Sequence, residues 1–363
     1  MSVDISIILI TTRDDFPILG LPNTHLLGPC ISSLKAQEFK NFELIVIDGL
    51  YEFRPEMFRG KPFNTAELPF KVKHVSVHPK HAFWISHHRP FSCEAVNTGL
   101  IHANGELVVK IDDCCEFSEK YLKNIWNFYQ CGYFPLSMHI RYMDGKPAHF
   151  TEEYTEKSKQ VGTSASTRQG VAHDAAVSKH FKDVYGEGGL IRDTRWKTVE
   201  ENGGQMIARR NWFYGYSSFP LESALKVNGM DELMDGDYTL MDVDFGQRLA
   251  MAEHDNMFLL DTQLWVIEHS HVGHSSRVIN SNCGNIKCNY AILKLNENKR
   301  RWRTNTDKLN NDDLNFVKQE TLRLPCSWNP HQYLDDCEGP MFKLWAENQP
   351  IFDLREERKN VSE

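Results

Sequence analysis

The sequence that decides the fold is NTGLIHANGELVVKIDD, residues 97–113. Apolar residues spaced for burial along Cys93–His102 predict a helix. Leu107–Ile111 is a continuous apolar run of strand length, as expected for a strand buried on both faces. The carboxylates of Asp112 and Asp113 follow that strand directly. The stretch therefore predicts a helix, a turn and a buried strand that ends in an acidic pair.

Three further runs extend this pattern toward the N-terminus. Ile5–Thr11, Glu43–Ile47 and Val72–Val77 are apolar segments of strand length. A helical pattern over Gly28–Gln37 separates the first two. Alternation of strands with helices is typical of α/β proteins, and it predicts a doubly wound, Rossmann-type central sheet that is mostly parallel and flanked by helices.

Polar residues stand at the ends of three of these predicted strands. In open parallel sheets, ligands bind beyond the carboxyl ends of the strands. The three strand ends should therefore contribute to one site. They carry Thr11-Thr12-Arg13-Asp14, Asp48 and Asp112-Asp113.

The acidic pair has two interpretations. Adjacent carboxylates repel one another, so Asp112 and Asp113 need a cation or hydrogen-bond donors to stay ionised. Mg²⁺ and Mn²⁺ favour carboxylate oxygens, and Mg²⁺ often brings substrate phosphates with it. The alternative is a cap for the helix predicted over Ser118–Tyr129. We favour a binding site, because acidic pairs in clefts at sheet ends are candidate functional groups.

The second half of the chain has less regular patterns than the first. Helical patterns cover 221–227 and 242–253, and 258–267 fits a last pair of strands. Residues 145–210 are polar and predict a long loop region, of the kind that often carries function. After about residue 275 the composition is charged and helical.

Composition places limits on the function. Hydrophobic residues make up 41% and charged residues 25%, and the net charge is −8. These values fit a globular protein and argue against a global basic field for nucleic acid. No apolar run is long enough to span a membrane, and the N-terminus lacks a signal-peptide pattern, so we expect a cytoplasmic protein.

The nine cysteines are expected to be reduced thiols, as in other cytoplasmic proteins. A zinc site is the alternative, although the spacing of the four candidates departs from the usual C-x2-C. Those candidates are Cys283, Cys288, Cys326 and Cys337.

Residues 97–113 resemble the helix, turn and strand that lead into the acidic DxD-type motif of glycosyltransferase family 2. Ser6–Arg13 and Glu43–Gly49 are similar to the first two strands of that family. Val227–Glu232 resembles its Gly-Gly-Phe-Asp-Glu region, and Met241–Leu249 resembles its Glu-Asp-x-Asp motif with the following Arg-Leu. The matching blocks keep the family's order along the chain.

The resemblance implies a GT-A fold over residues 1–275, followed by a helical C-terminal extension over 276–363. Residues 1–117 would form the nucleotide-sugar-binding half, and 118–275 the acceptor-side half with the loop region near 145–210. The implied activity is metal-dependent transfer of a sugar from a nucleoside-diphosphate sugar to an acceptor hydroxyl, with inversion. A UDP-sugar is the favoured donor, and Mn²⁺ or Mg²⁺ the metal.

The resemblance also implies roles for individual residues. Asp242 would be the general base that takes the proton of the acceptor hydroxyl. Asp113 would hold the metal, with His269 or His271 completing its ligands; the alternative is that both histidines are ordinary surface residues. Asp112 would lie toward the ribose. The other implied contacts with the donor are Thr11, Thr12, Arg13, Asp48 and Asn97.

Two departures from the family pattern keep other functions open. Cys114 stands where a DxD motif has its second acid, and Met241 stands where a Glu precedes the general base. A catalytically degenerate sugar- or nucleotide-binding protein of the same fold is therefore one alternative. A nucleotidyltransferase is another, although Thr11–Leu21 lacks the Gly-rich basic loop such an enzyme would show.

The acceptor is left open among a glycan, a lipid-linked sugar, a small molecule, a protein and a modified nucleic acid. Lys299–Arg303 is a local basic and aromatic cluster that fits a phosphate-rich acceptor. The alternative is a solvated helix face.

Overall fold

A computed structural model describes residues 3–12, 27–53, 68–87, 91–143, 189–193, 195–236, 240–253, 257–269, 286–323 and 346–361. The strands in these ranges are β1 Ile5–Thr11, β2 Phe42–Asp48, β3 Lys71–Val75, β4 Leu107–Asp112, β5 Cys115–Phe117, β6 Phe134–Met143, β7 Gly189–Arg192, β8 Gln205–Ile207, β9 Ser217–Pro220 and β10 Phe258–His269. The helices are α1 Leu27–Ala36, α2 Phe83–Ser86, α3 Ser92–His102, α4 Tyr121–Gln130, α5 Arg195–Glu201, α6 Leu221–Lys226, α7 Met241–Ala252, α8 Ile286–Asn298, α9 Asn311–Arg323 and α10 Leu354–Val361.

The strands form one sheet in the order β3-β2-β1-β4-β9-β6-β10-β5, with β7 beside β6 and β8 beside β10. The first four are parallel, as predicted. Beyond β4, only β6 and β10 run parallel to each other. The expectation of a mostly parallel sheet is wrong, because β9 runs antiparallel to β4 and β6, and β5, β7 and β8 also pair antiparallel. The fold is α/β with a mixed sheet.

The parallel half is buried on both faces. Ile8 of β1 joins a core cluster on the α3 side, whereas Ile7 and Leu9 join a cluster on the side of α1 and α4. Two glycines allow this packing. A Cβ on Gly99 would lie 2.6 Å from the Ile8 side chain, and one on Gly105 would lie 2.4 Å from the backbone nitrogen of Ser6. The glycines of the deciding stretch are thus required for close approach of α3 and its turn to β1.

The last three helices pack on the rest of the fold. The contacts join α8 to α7, α9 to α8 and α10 to α3. Asn228, at a φ of 62°, donates to the carbonyls of Thr304 and Phe352 and accepts from the backbone nitrogen of Leu354. The division near residue 275 lies outside the described residues and stays a prediction.

Three details of the second half differ from expectation. Residues 189–207 contain β7, α5 and β8 where a loop is predicted, and residues 144–188 lie outside the description. The expected strand pair over 258–267 is one strand, β10, whose pairing with β6 is irregular between Leu260 and Trp265. None of the helices in the described ranges combines the length and apolarity needed to cross a bilayer.

Candidate active site at the strand ends

The ends of β1, β2 and β4 lie side by side. Thr11 pairs with Asp48, and Ile10 pairs with Asp112, so the three strands end at one level. The Thr11 hydroxyl donates to Oδ2 of Asp113 over 2.7 Å, and both side chains are buried. Four of the predicted site residues, Thr11, Asp48, Asp112 and Asp113, therefore meet at one edge of the sheet. Thr12 is buried beside them, and Arg13 lies outside the described residues.

Asp48, the last residue of β2, is held by contacts with nearby residues. Its Oδ1 accepts from the backbone nitrogen of Leu50 over 2.9 Å, and its Oδ2 lies 3.0 Å from Nε2 of His74. The Tyr51 ring packs at 4.8 Å from the His74 ring. Sequence reasoning missed His74, because the signal is only one polar residue within a short strand.

The acidic pair does not cap the following helix. α4 begins at Tyr121, and its N-cap residue is Lys120, which makes no side-chain capping bond. The capping interpretation of Asp112 and Asp113 is therefore wrong. Cys114, where the family pattern has an acid, is fully buried.

The end of β10 reaches the same edge. Glu268 pairs with Cys115 of β5, so the backbone of His269 lies next to the turn that carries Asp113. Burial, followed by the charge of Glu268 and then of neighbouring groups that include Asp112, raises the pKa of Tyr216. β10 and β4 thus share one neighbourhood. The side chain of His269 and all of His271 lie outside the description, so their predicted metal role stays a prediction.

Asp242 faces this edge from the first turn of α7. Its Oδ1 accepts from Nζ of Lys110 over 2.8 Å, and its Oδ2 accepts from the backbone nitrogen of Gly215 over 3.3 Å. The Asp242 side chain is 20% exposed. Both bonds come from other elements, so Asp242 is held by contacts outside its own helix.

Lys110 is a site residue that sequence reasoning missed. It precedes Asp112 by two positions on β4, so both side chains leave the same face of the strand. Burial lowers the pKa of Lys110, but the carboxylates of Asp242 and Asp112 outweigh burial and raise it above the ordinary value. Lys110 is therefore a fixed cation that connects Asp242 with the acidic pair. The available signal was a single charge inside an apolar run.

Asn97 occupies a different position. Its side-chain nitrogen donates to the Met230 carbonyl and to Glu232, and its oxygen accepts from the Met230 backbone nitrogen. Gly229, at a φ of +73°, approaches so closely that a Cβ would lie 2.1 Å from the Asn97 oxygen. Asn97 thus anchors residues 229–232 on α3, and its predicted contact with the donor stays a prediction.

Two of the four cations in the basic cluster Lys299–Arg303 are paired with acids. Lys299 pairs with Asp313, and Arg303 lies 2.6 Å from Asp353. Of the four cysteines considered for zinc, Cys288 is buried in α8, and the other three lie outside the described residues.

Comparisons with known proteins find only distant likeness. No protein-family model matches the chain, and no curated protein matches it. A structure of S. aureus TarS aligns with a TM-score of 0.42 and 12% identity over 88% of this chain and 43% of TarS. TarS 1–349 in complex with UDP-GlcNAc gives a TM-score of 0.38 and 13% identity over 88% and 71% of the two chains. A mycobacterial protein gives 0.41 and 12% over 83% and 76%. The chain thus spans less than half of the longer TarS structure.

Proposed function

We propose that this chain is a glycosyltransferase that moves a sugar from a nucleoside-diphosphate sugar to an acceptor hydroxyl. The observation that carries the proposal is the arrangement at one edge of the sheet. Thr11 and Asp113 are joined there by a hydrogen bond, and Asp242 reaches that edge through Lys110. An acidic donor edge beside a separate, partly exposed carboxylate is what metal-assisted transfer to a hydroxyl needs.

The acidic edge suits a hard divalent cation. Mg²⁺ in nucleotide sites is usually held by one or two carboxylates together with substrate phosphates, so Asp113 with Asp112 beside it is a sufficient protein contribution. The buried thiol of Cys114 is a poor partner for such an ion. When bound, Mn²⁺ or Mg²⁺ would offset the charge that develops on the departing diphosphate. Asp112 and Asp48 would contact the ribose and the nucleoside.

Asp242 is proposed as the general base. Its two oxygens are oriented by Lys110 and Gly215, and part of the side chain is open to solvent. The acceptor hydroxyl would give its proton to Asp242 while its oxygen forms the new bond to the anomeric carbon. The bond from that carbon to the diphosphate breaks, and its electron pair leaves with the nucleotide. Attack from the opposite face inverts the anomeric centre.

The first test is donor turnover. UDP-, GDP-, dTDP- and CMP-sugars are incubated with Mn²⁺ or Mg²⁺, and released nucleotide is measured. We expect release from one donor, a UDP-sugar, and its loss with chelator and in Asp113→Ala. Asp312→Asn, at an exposed acid on α9, is the control and should behave as wild type.

The same assay separates an enzyme from a degenerate binder. A binder would show nucleotide-dependent thermal stabilisation without any release, and Cys114 and Met241 would then account for its lost activity. If no donor gives either nucleotide release or thermal stabilisation, the proposal that the protein binds a nucleotide sugar is contradicted.

A further inference from the structure

Two histidines and a glutamate meet where the segment after β3 contacts α10. His78 directly precedes the turn Pro79–His81, His81 is its last residue, and Glu357 lies in α10. One ligand-type atom from each of the three residues lies within 4.8 Å of the others. Within the described ranges, this is the one such group of three His, Cys, Asp or Glu side chains. It is separate from the acidic strand ends.

His81 is fixed from both sides. Its side chain is fully buried, with Nδ1 2.5 Å from Oε1 of Glu232 and Nε2 2.7 Å from Oε2 of Glu357. Glu232 is itself held by the amide of Asn97 over 2.8 Å. One nitrogen of the His81 ring therefore contacts the anchored carboxylate of Glu232, and the other nitrogen contacts Glu357. A carboxylate on the far nitrogen is the usual way in which metal-binding histidines are oriented.

Two further atoms at the group are buried without a hydrogen bond. Among the described residues, Nδ1 of His78 and Oε1 of Glu357 have no hydrogen-bond partner. The partly exposed Lys80 lies 3.2 Å from that Glu357 oxygen as an ion pair. The backbone nitrogen of His78 donates to the Thr98 hydroxyl over 3.0 Å, which holds the backbone that carries this ring. Lys80 accounts for the Glu357 oxygen, so the atom that calls for an explanation is Nδ1 of His78, and an ion is one of the explanations that such buried atoms commonly have.

We propose that His78, His81 and Glu357 bind one Zn²⁺ ion, which fastens α10 to the segment that follows β3. Two imidazole nitrogens and one carboxylate oxygen suit zinc better than Mg²⁺ or Ca²⁺, which favour oxygen ligands alone. Zinc needs bonds of about 2.0–2.2 Å, so binding would shift the three ligand atoms, which lie within 4.8 Å of one another, and would part His81 from Glu357. A water molecule would complete four ligands. The proton between His81 and Glu357 leaves to solvent when the metal takes Nε2.

The proposed zinc site would have a structural role, whereas the strand ends would carry the transfer reaction. Its ligands belong to two elements far apart in the chain, and Glu232 links it to the segment that Asn97 holds. We infer a structural ion that stabilises this junction, independent of the proposed transfer reaction.

The experiment is zinc titration of the full chain after treatment with EDTA. Bound zinc is measured by elemental analysis, affinity by competition with a chromophoric chelator, and stability by Tm. We expect one zinc per chain and a Tm increase of roughly 5 °C at a hundredfold excess of zinc over Kd. Mg²⁺ in place of zinc should give no comparable shift.

Variants assign the ion to these residues. His78→Ala removes a ligand whose Nδ1 makes no hydrogen bond within the described residues, and it should weaken zinc binding at least tenfold. Glu357→Gln should do the same while keeping a polar contact to His81. The exposed His87→Ala and the strand-end Asp113→Ala are controls that should retain the zinc.

The proposal fails in two ways. Wild type that binds no zinc would overturn it, and the group would then be an imidazolium held between two carboxylates. Zinc that still binds with unchanged affinity to both His78→Ala and Glu357→Gln would place the ion elsewhere. Neither result depends on glycosyltransferase activity.

Discussion

Two acidic regions of this molecule differ in how far their carboxylates are enclosed. The inner acidic junction consists of Glu94, Asp231, Glu232, Asp235 and Asp244, all of them buried. Its carboxylates accept from backbone nitrogens, amides, His81 or Arg248. At the strand ends, by contrast, Asp242 keeps 20% of its side chain exposed.

The difference is sharpest within the first turn of α7. Asp244 accepts from Arg248 over 2.7 Å and from Asn296 over 2.8 Å, and it is closed to solvent. Asp242, two residues earlier, points to the strand ends through Lys110. A carboxylate that stabilises the fold is enclosed by donors, whereas one suited to a reaction keeps an open side. Substitutions at matched acids can test this distinction.

The largest expected effect separates Asp242→Asn from Asp244→Asn. Loss of a general base should lower the transfer rate by about 10²–10⁴-fold. Asp242→Asn also removes the charge that faces Lys110, but Asp242 is partly exposed, so its loss of stability should be smaller than that of Asp244→Asn. Asp244→Asn leaves Arg248 buried without its carboxylate and should cost about 3–5 kcal/mol of unfolding free energy. Initial rates and urea unfolding measure the two effects. If Asp244→Asn lost activity while keeping its stability, the distinction between a structural Asp244 and a functional Asp242 would be wrong.

A smaller effect is expected at the edge of the inner acidic junction. Asn97→Ala leaves the Met230 backbone nitrogen without its acceptor and should cost about 1–3 kcal/mol. Asn127→Ala, at an exposed asparagine of α4, is the matched control and should cost less. Urea unfolding and nucleotide affinity are measured together. A large loss of nucleotide affinity with little loss of stability would instead favour the predicted contact between Asn97 and the donor.

The third effect concerns pH and is absent near neutrality, because it comes from the titration of the partly buried His102. Burial, then the charges of Lys73, His78 and Arg358, lower the pKa of His102 to about 4. An unfolded histidine titrates near 6.5, so the unfolded state binds more protons between these values. The neutral His102 ring therefore contributes fully to the free energy of unfolding above about pH 6.5. That contribution is lost as the pH falls toward 4. His102→Gln should reduce that loss in unfolding free energy; an unchanged pH dependence would contradict the lowered pKa.

The parallel half of the fold was predictable because its signals are local. β1, β2, α3 and β4 match the predicted segments to within one or two residues, since each is a continuous apolar or periodic run. Convergence of Thr11, Asp48 and Asp112 also followed, because parallel strands place their carboxyl ends at one edge.

The remaining features depend on distant partners. Lys110 meets Asp242 across 132 positions of the chain, and no local pattern indicates that contact. β9 has only four residues, two of them serine, so it lacks a strand periodicity. Its antiparallel pairing within the sheet could therefore not be predicted. The role of Asn97 likewise depends on Met230, whose position follows from the tertiary fold.

The contact between His81 and Glu357 has a consequence for how the chain folds. These residues are 276 positions apart, so joining them early would close a very long loop at a high entropic cost. The parallel strands, whose partners are nearer in sequence, can assemble first, and docking of α10 is then a late step. The same junction should be among the first to open in the native protein. Amide hydrogens of α10 would then exchange with solvent sooner than those of β1 and β4.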